Sequence, residues 1–88
     1  MEGRVKVLYI DDESNNLVGF KATFRREYDI LTAQSPAKAL LQLQAHPDIA
    51  VIISDQRMPG KTGVEFFEEI QSIYPAPVRM LCTGYTDV

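Results

Sequence analysis

Short apolar runs alternate with amphipathic segments along the whole of this 88-residue chain, and this alternation restricts its fold more than any other feature. The runs Val5–Ile10, Asp29–Ala33, Ile49–Ser54 and Val78–Cys82 have the length and composition of strands. Strands that alternate with helices favour a parallel sheet with right-handed crossovers. The sequence therefore predicts an α/β fold in which helices cover both faces of a doubly wound parallel sheet.

Three amphipathic helices are predicted between these strands. The first carries apolar residues at spacings of three and four, namely Leu17, Phe20, Phe24 and Tyr28. The second lies between the N-cap Ser35 and Pro47. Its expected buried stripe is Ala37, Leu40, Leu41 and Ala45. The third opens with Thr62 and Glu65, which have the spacing of a capping box. Its expected inner face is Val64, Phe66, Phe67, Ile70 and Ile73.

Composition limits the classes of function that remain open. A net charge of −3 without a basic run argues against a nucleic-acid surface, because phosphate backbones are bound by clustered lysines and arginines. The chain shows no secretory signal pattern and no apolar stretch long enough to span a bilayer, so a cytoplasmic location is expected. The single cysteine, Cys82, excludes an internal disulfide and is expected to be a core thiol.

Polar residues follow three of the predicted strands at the point where each strand ends. Asp11 and Asp12 follow the first strand, Asp55 the third and Thr83 the fourth. Because parallel strands end at one edge of the sheet, the three carboxylates are expected to converge and to repel one another unless a cation is bound. Oxygen ligands without histidine or cysteine favour Mg²⁺ or Mn²⁺. Aspartate is also common in loops at strand ends, and spacing alone leaves both interpretations open.

An aspartate beside Mg²⁺ has a specific chemical use. It can attack a phosphoryl group and form an acyl phosphate, since the ion shields the charges of the nucleophile and the phosphate. Asp55 is the candidate nucleophile, and the hydroxyl of Thr83 is a candidate donor to a phosphoryl oxygen.

Three segments together resemble the receiver domains of two-component response regulators. They are Leu8–Glu13, Ile53–Gly60 with Gly63 beyond, and Leu81–Tyr85, and both their order and their spacing match that family. The resemblance implies a flavodoxin-like fold with strand order 2-1-3-4-5 and phosphorylation at Asp55 by a sensor histidine kinase or phosphotransfer protein. It also implies that Asp12, Asp55 and the backbone carbonyl of Arg57 bind Mg²⁺, that Asp11 acts through water, and that Thr83 is the switch hydroxyl.

The chain departs from the family pattern at its carboxyl end. Receivers have a fifth strand that ends in a lysine, whereas this sequence stops at Val88. We therefore expect residues 1–88 to form one receiver domain, truncated at its carboxyl end, with strand order 2-1-3-4. It is expected to be a signalling phosphoacceptor and not an enzyme, with phosphoryl transfer weakened by the missing lysine.

The residues at two positions argue against two other classes of function. A haloacid-dehalogenase-type enzyme needs a second aspartate two residues after its nucleophile, and Arg57 occupies that position. A flavin binder would carry a phosphate loop where Asp11 and Asp12 lie. The remaining alternative is a receiver fragment without a switch that acts as an interaction module. With either function, the chain is expected to form a homodimer through its exposed fourth strand, because an unpaired apolar edge favours association.

Overall fold

The computed structural model describes residues 3–82, in which strands and helices alternate. The elements are β1 (Lys6–Ile10), α1 (Ser14–Phe24), β2 (Asp29–Ala33), α2 (Pro36–Ala45), β3 (Val51–Asp55), α3 (Gly63–Ile70) and β4 (Val78–Cys82). All neighbouring strands are parallel, and their order in the sheet is β2-β1-β3-β4. The predicted doubly wound, flavodoxin-like sheet with strand order 2-1-3-4 is therefore confirmed.

One face of the sheet forms the core with α2 and α3. Leu8, Ile10 and Ile52 are fully buried there, because alternate residues of a strand point to the same face. Leu43 of α2 and Phe66 of α3 belong to the same buried cluster. Burying a side chain of this size contributes roughly 1.5–3 kcal/mol, so this face supplies most of the apolar stabilisation of the fold.

The opposite face is covered only in part by the described residues. Phe20 of α1 stacks on Tyr9 of β1, with ring centroids 4.2 Å apart. Beside them lies an open groove of about 240 Å³. Its lining is apolar and consists of Val7, Phe20, Phe24, Tyr28, Ile30, Val51, Ile53 and Met80. Val51 and Ile53 are only half-buried, which marks this face as the less protected one.

Side-chain caps fix the starts of the second and third helices where the sequence predicts them. The hydroxyl of Ser35 accepts a hydrogen bond of 3.2 Å from the backbone N–H of Lys38. At α3, Thr62 accepts from the N–H of Glu65 at 3.1 Å, and the Glu65 carboxylate accepts from the N–H of Thr62 at 2.8 Å. None of the helices described within residues 3–82 has the length and apolar character needed to cross a membrane.

Several expectations about element limits and burial are wrong. β1 begins at Lys6 and β3 at Val51, each slightly later than predicted. α1 ends at Phe24 and α3 at Ile70, so Tyr28 and Ile73 lie beyond their helices. Other residues expected to be buried are exposed, namely Ala37, Leu41, Ala45, Val64 and Cys82.

Candidate functional site: an acidic cluster at the carboxyl ends of β1 and β3

Three aspartates meet at the edge of the sheet where β1 and β3 end. β1 and β3 are neighbours, and Ile10 pairs with Ser54. One carboxylate oxygen each of Asp11, Asp12 and Asp55 can be chosen so that all three atoms lie within 4.8 Å of one another. An all-oxygen set of acidic ligands, partly open to solvent, fits a hard divalent cation such as Mg²⁺.

Asp11 is the buried member of the cluster, with 2% of its surface exposed. Its Oδ2 accepts hydrogen bonds from the hydroxyl of Tyr9 at 2.8 Å and from the side-chain amide of Asn16 at 3.0 Å. Its Oδ1 accepts from the backbone N–H of Glu13 at 3.0 Å. A buried carboxylate is costly unless it is hydrogen-bonded, and these donors meet that requirement.

Asp55 is half-buried, and its carboxyl is easier to protonate than that of an ordinary aspartate. Partial burial raises the pKa of Asp55, and the nearby charge of Asp11 raises it further. The charge of Asp12 acts in the same direction, whereas backbone N–H groups of Arg57 and Gln56 partly offset the rise. A cation in the cluster would relieve this repulsion, since opposite charge favours the ionised carboxylate.

The loop after Asp55 is held on both sides. The N–H of Gln56 donates to the carbonyl of Cys82 at 3.3 Å, and the carbonyl of Gln56 accepts from the N–H of Gly63 at 3.1 Å. The side-chain amide oxygen of Gln56 accepts from the N–H of Val64 at 3.1 Å. This residue therefore joins the end of β3 to both β4 and the first turn of α3, which fixes the backbone beside Asp55.

Arg57 and Thr83 are the other two predicted site residues. Arg57 is exposed and follows Asp55 by two positions. Thr83 lies outside the described residues. Two lysines form ion pairs with residues outside the aspartate cluster. Lys61 pairs with Glu69 at 2.7 Å, and Lys6, at the amino end of β1, pairs with Asp48 at 2.8 Å.

Sequence reasoning missed the side chains that surround Asp11. Tyr9 lies two positions before Asp11, and where extended backbone continues past a strand end, residues two positions apart lie on the same face. Asn16 lies in the first turn of α1, five residues after Asp11, so its side chain can reach back to the Asp11 carboxylate. These two spacings are the signals that could have found them.

A parallel sheet of order β2-β1-β3-β4 with aspartates after β1 and at the end of β3 fits the receiver class of flavodoxin-like proteins. The family model for the response regulator receiver domain matches residues 7–88, and the chain belongs to that family. Solved structures support the same fold. A response regulator receiver domain protein from Clostridium thermocellum has a TM-score of 0.85 at 33% identity, covering 94% of this chain and 68% of that one. A receiver protein from Pseudomonas putida has a TM-score of 0.88 at 26% identity, covering 99% and 74%.

Curated relatives are much longer than this chain. The hydrogenase transcriptional regulatory protein HoxA of Cupriavidus necator is 42% identical over 81 residues, which is 92% of this chain but 17% of that protein. The transcriptional regulatory protein GlrR of Escherichia coli is 30% identical over 84 residues, or 93% of this chain and 18% of that protein. The chain thus spans less than a fifth of the length of either regulator.

Proposed function

We propose that this chain is the phosphoacceptor receiver domain of a two-component response regulator, extending over residues 1–88 and acting in the cytoplasm. In this proposal Asp55 takes a phosphoryl group from a sensor histidine kinase or a phosphotransfer protein. The observation that carries the proposal is the convergence of Asp55 with Asp11 and Asp12 at one sheet edge. Asp55 is the last residue of β3, and its side chain remains partly open to solvent.

The proposed phosphoryl transfer takes place at the carboxylate of Asp55. A carboxylate oxygen of Asp55 forms a bond to phosphorus while the phosphorus–nitrogen bond of the phosphohistidine breaks, and the histidine nitrogen leaves with a proton taken up from solvent. The product is an acyl phosphate on Asp55. Asp11 is held by three donors and stays in place as a fixed charge beside the nucleophile. The domain is a substrate of this transfer and turns over no separate substrate of its own.

Mg²⁺ is the proposed cofactor, and Mn²⁺ could replace it. Asp12, Asp55 and the backbone carbonyl of Arg57 would hold the ion, with Asp11 acting through water. When bound, the ion would supply positive charge that offsets the carboxylates and the incoming phosphoryl group. The support is the all-oxygen ligand set, together with the pKa of Asp55, which is raised first by burial and then by the nearby charges of Asp11 and Asp12.

Thr83 is proposed as the switch hydroxyl that donates to a phosphoryl oxygen. Within residues 3–82, the side chain of Lys61 is engaged in an ion pair with Glu69.

Incubation with acetyl phosphate and Mg²⁺, followed by intact mass measurement, tests the phosphoacceptor role. The parent protein should gain one phosphoryl group, and Asp55→Asn should gain none. Asp29→Asn, on β2 and outside the cluster, is the matched control and should be labelled like the parent. Labelling of Asp55→Asn to the level of the parent would show that another residue is the acceptor.

A second candidate is an interaction module that forms a homodimer through β4. The observation that favours it is the exposure of apolar residues along this strand, namely Val78 at 60%, Met80 at 51% and Leu81 at 38%. β4 is the outer strand of the described sheet next to β3. An exposed apolar edge of this kind favours pairing with a second copy.

A further inference from the structure

Tyr9 makes the shortest of the described hydrogen bonds to Asp11, at 2.8 Å. The tyrosine is 7% exposed, and its ring stacks on Phe20 with an interplanar angle of 16°. A ring held in this way has little freedom to turn, so its hydroxyl is fixed at the end of β1. Asp11 directly follows β1, and its N–H still donates to the carbonyl of Ala33 beside β1, so the extended backbone places its side chain on the same face as that of Tyr9, two positions earlier.

The two oxygens of Asp11 differ in their remaining hydrogen-bonding capacity. Each carboxylate oxygen has about two acceptor sites. Oδ2 receives two side-chain donors, from Tyr9 and Asn16, whereas Oδ1 receives one backbone N–H, from Glu13. Among the described contacts, Oδ1 is therefore the oxygen with capacity left for an ion or for a water bound to it.

We propose that Tyr9 is a positioning residue of the metal site. Its hydroxyl, together with the amide of Asn16, holds Oδ2 of Asp11 and leaves Oδ1 available to Mg²⁺ or to its water. This inference deepens the proposed function and rests on the Mg²⁺ site stated there. Removing a group that orients a metal ligand typically weakens metal affinity by about 10- to 100-fold. Since Asn16 would still hold Oδ2, the lower end of that range, about 10-fold, is expected for the loss of Tyr9 alone.

Tyr9→Phe is the decisive variant because it removes the hydroxyl and keeps the ring that packs on Phe20. Mn²⁺ binding to the purified protein is measured from the electron paramagnetic resonance signal of free Mn²⁺, and Mg²⁺ affinity is obtained by competition. Tyr9→Phe should bind both ions about 10-fold more weakly than the parent. The control Tyr28→Phe changes a tyrosine that is 40% exposed, and it should bind like the parent.

A second readout separates positioning from a general effect on stability. Mg²⁺ should perturb the near-ultraviolet absorption of Tyr9, giving a difference spectrum in the parent and in Tyr28→Phe that is lost in Tyr9→Phe. A merely structural role would lower the metal-free melting temperature of Tyr9→Phe and leave its ion affinity unchanged.

The possible failures can be told apart. A parent that binds neither ion overturns the Mg²⁺ site and this inference with it. A parent that binds, with undiminished binding in Tyr9→Phe, overturns only the role of Tyr9. If Tyr9→Phe does not fold, the parent spectrum decides, because Mg²⁺ binding without a tyrosine difference signal also overturns the role of Tyr9.

Discussion

Gly63 lies directly against the backbone of Asp55. A Cβ atom at position 63 would be 2.8 Å from the carbonyl oxygen of Asp55 and 2.7 Å from the side chain of Leu81. The contact with the carbonyl oxygen of Asp55 involves backbone, which cannot move away as the flexible side chain of Leu81 can. The start of α3 therefore approaches the end of β3 this closely only because residue 63 has no side chain.

Gly63→Ala is expected to destabilise the protein by about 1–3 kcal/mol, the usual cost of overpacking a closed site. The added methyl group must displace either the α3 terminus or the Asp55 backbone, so phosphoryl labelling should fall as well. Urea unfolding and the acetyl phosphate assay measure the two effects.

Gly19→Ala is the matched control for this substitution. Gly19 lies within α1, and a Cβ there would meet no atom within 4 Å. Alanine is favoured over glycine in a helix interior, so stabilisation of roughly 0.5–1 kcal/mol is expected. Equal stability changes in the two variants would contradict the close approach inferred for Gly63.

The sequence predicted the order of the elements well because each strand and helix carries its own local pattern. The capping box of Thr62 and Glu65 is an example, since both of its hydrogen bonds are formed within four residues. The parallel order of the strands followed from the alternation of the elements and from the family resemblance.

Burial was harder to predict because it depends on which elements meet. Cys82 was expected in the core, but it ends β4, the outer strand of the described sheet, and is exposed. Leu41 and Val64 are apolar residues on the outer sides of their helices, and no local pattern identifies them as exposed. For the site, the convergence of aspartates could be predicted from strand ends, whereas the donors of Asp11 required three-dimensional contacts.

Asp55→Asn is expected to stabilise the metal-free protein at neutral pH. The pKa of Asp55 is raised in the folded state, so the folded protein binds more protons than the unfolded chain as pH rises above the ordinary value of 3.8. The free energy of unfolding therefore falls as pH rises through that window. Asparagine removes this penalty, and the gain should be no more than about 1 kcal/mol because solvent screens a half-buried group.

Urea unfolding in EDTA at pH 7 and at pH 3 measures this effect. The difference between Asp55→Asn and the parent should be present at pH 7 and should shrink at pH 3, where the carboxyl is protonated in both states. A stabilisation that is equal at the two pH values would point to a cause other than ionisation.

Mg²⁺ is expected to raise the melting temperature of the parent. At an ion concentration ten times Kd, linkage gives about 1.4 kcal/mol of stabilisation, which corresponds to several degrees for a domain of this size. Asp12→Ala should lose the shift because it removes a proposed ligand, although its metal-free melting temperature should rise as repulsion is relieved. Glu68→Ala, on the exposed side of α3, should keep the full shift, and a shift retained in Asp12→Ala would contradict the ligand assignment.

Met80→Lys is expected to weaken a homodimer formed through β4. Met80 is 51% exposed and lies on β4 beside the apolar groove next to α1. Edge strands are protected from pairing by charged side chains, lysine in particular, so this substitution supplies the protection that most of β4 lacks. Light scattering over a dilution series should show dissociation at a protein concentration at least about tenfold higher than for the parent, which corresponds to roughly 1.4 kcal/mol or more.

Val18→Lys is the control for the added charge in this experiment. Val18 is an apolar residue that is 67% exposed, and it lies in α1, which packs against β1 and β2. The Val18→Lys substitution should leave the dissociation of the dimer unchanged, because a charge there meets no pairing strand.

Hydrogen exchange locates the contact between the two copies independently. Pairing through β4 should slow the exchange of its outward N–H groups when the protein is concentrated. A parent that is monomeric at every concentration, with β4 amides already protected, would show that this edge is closed without a second copy.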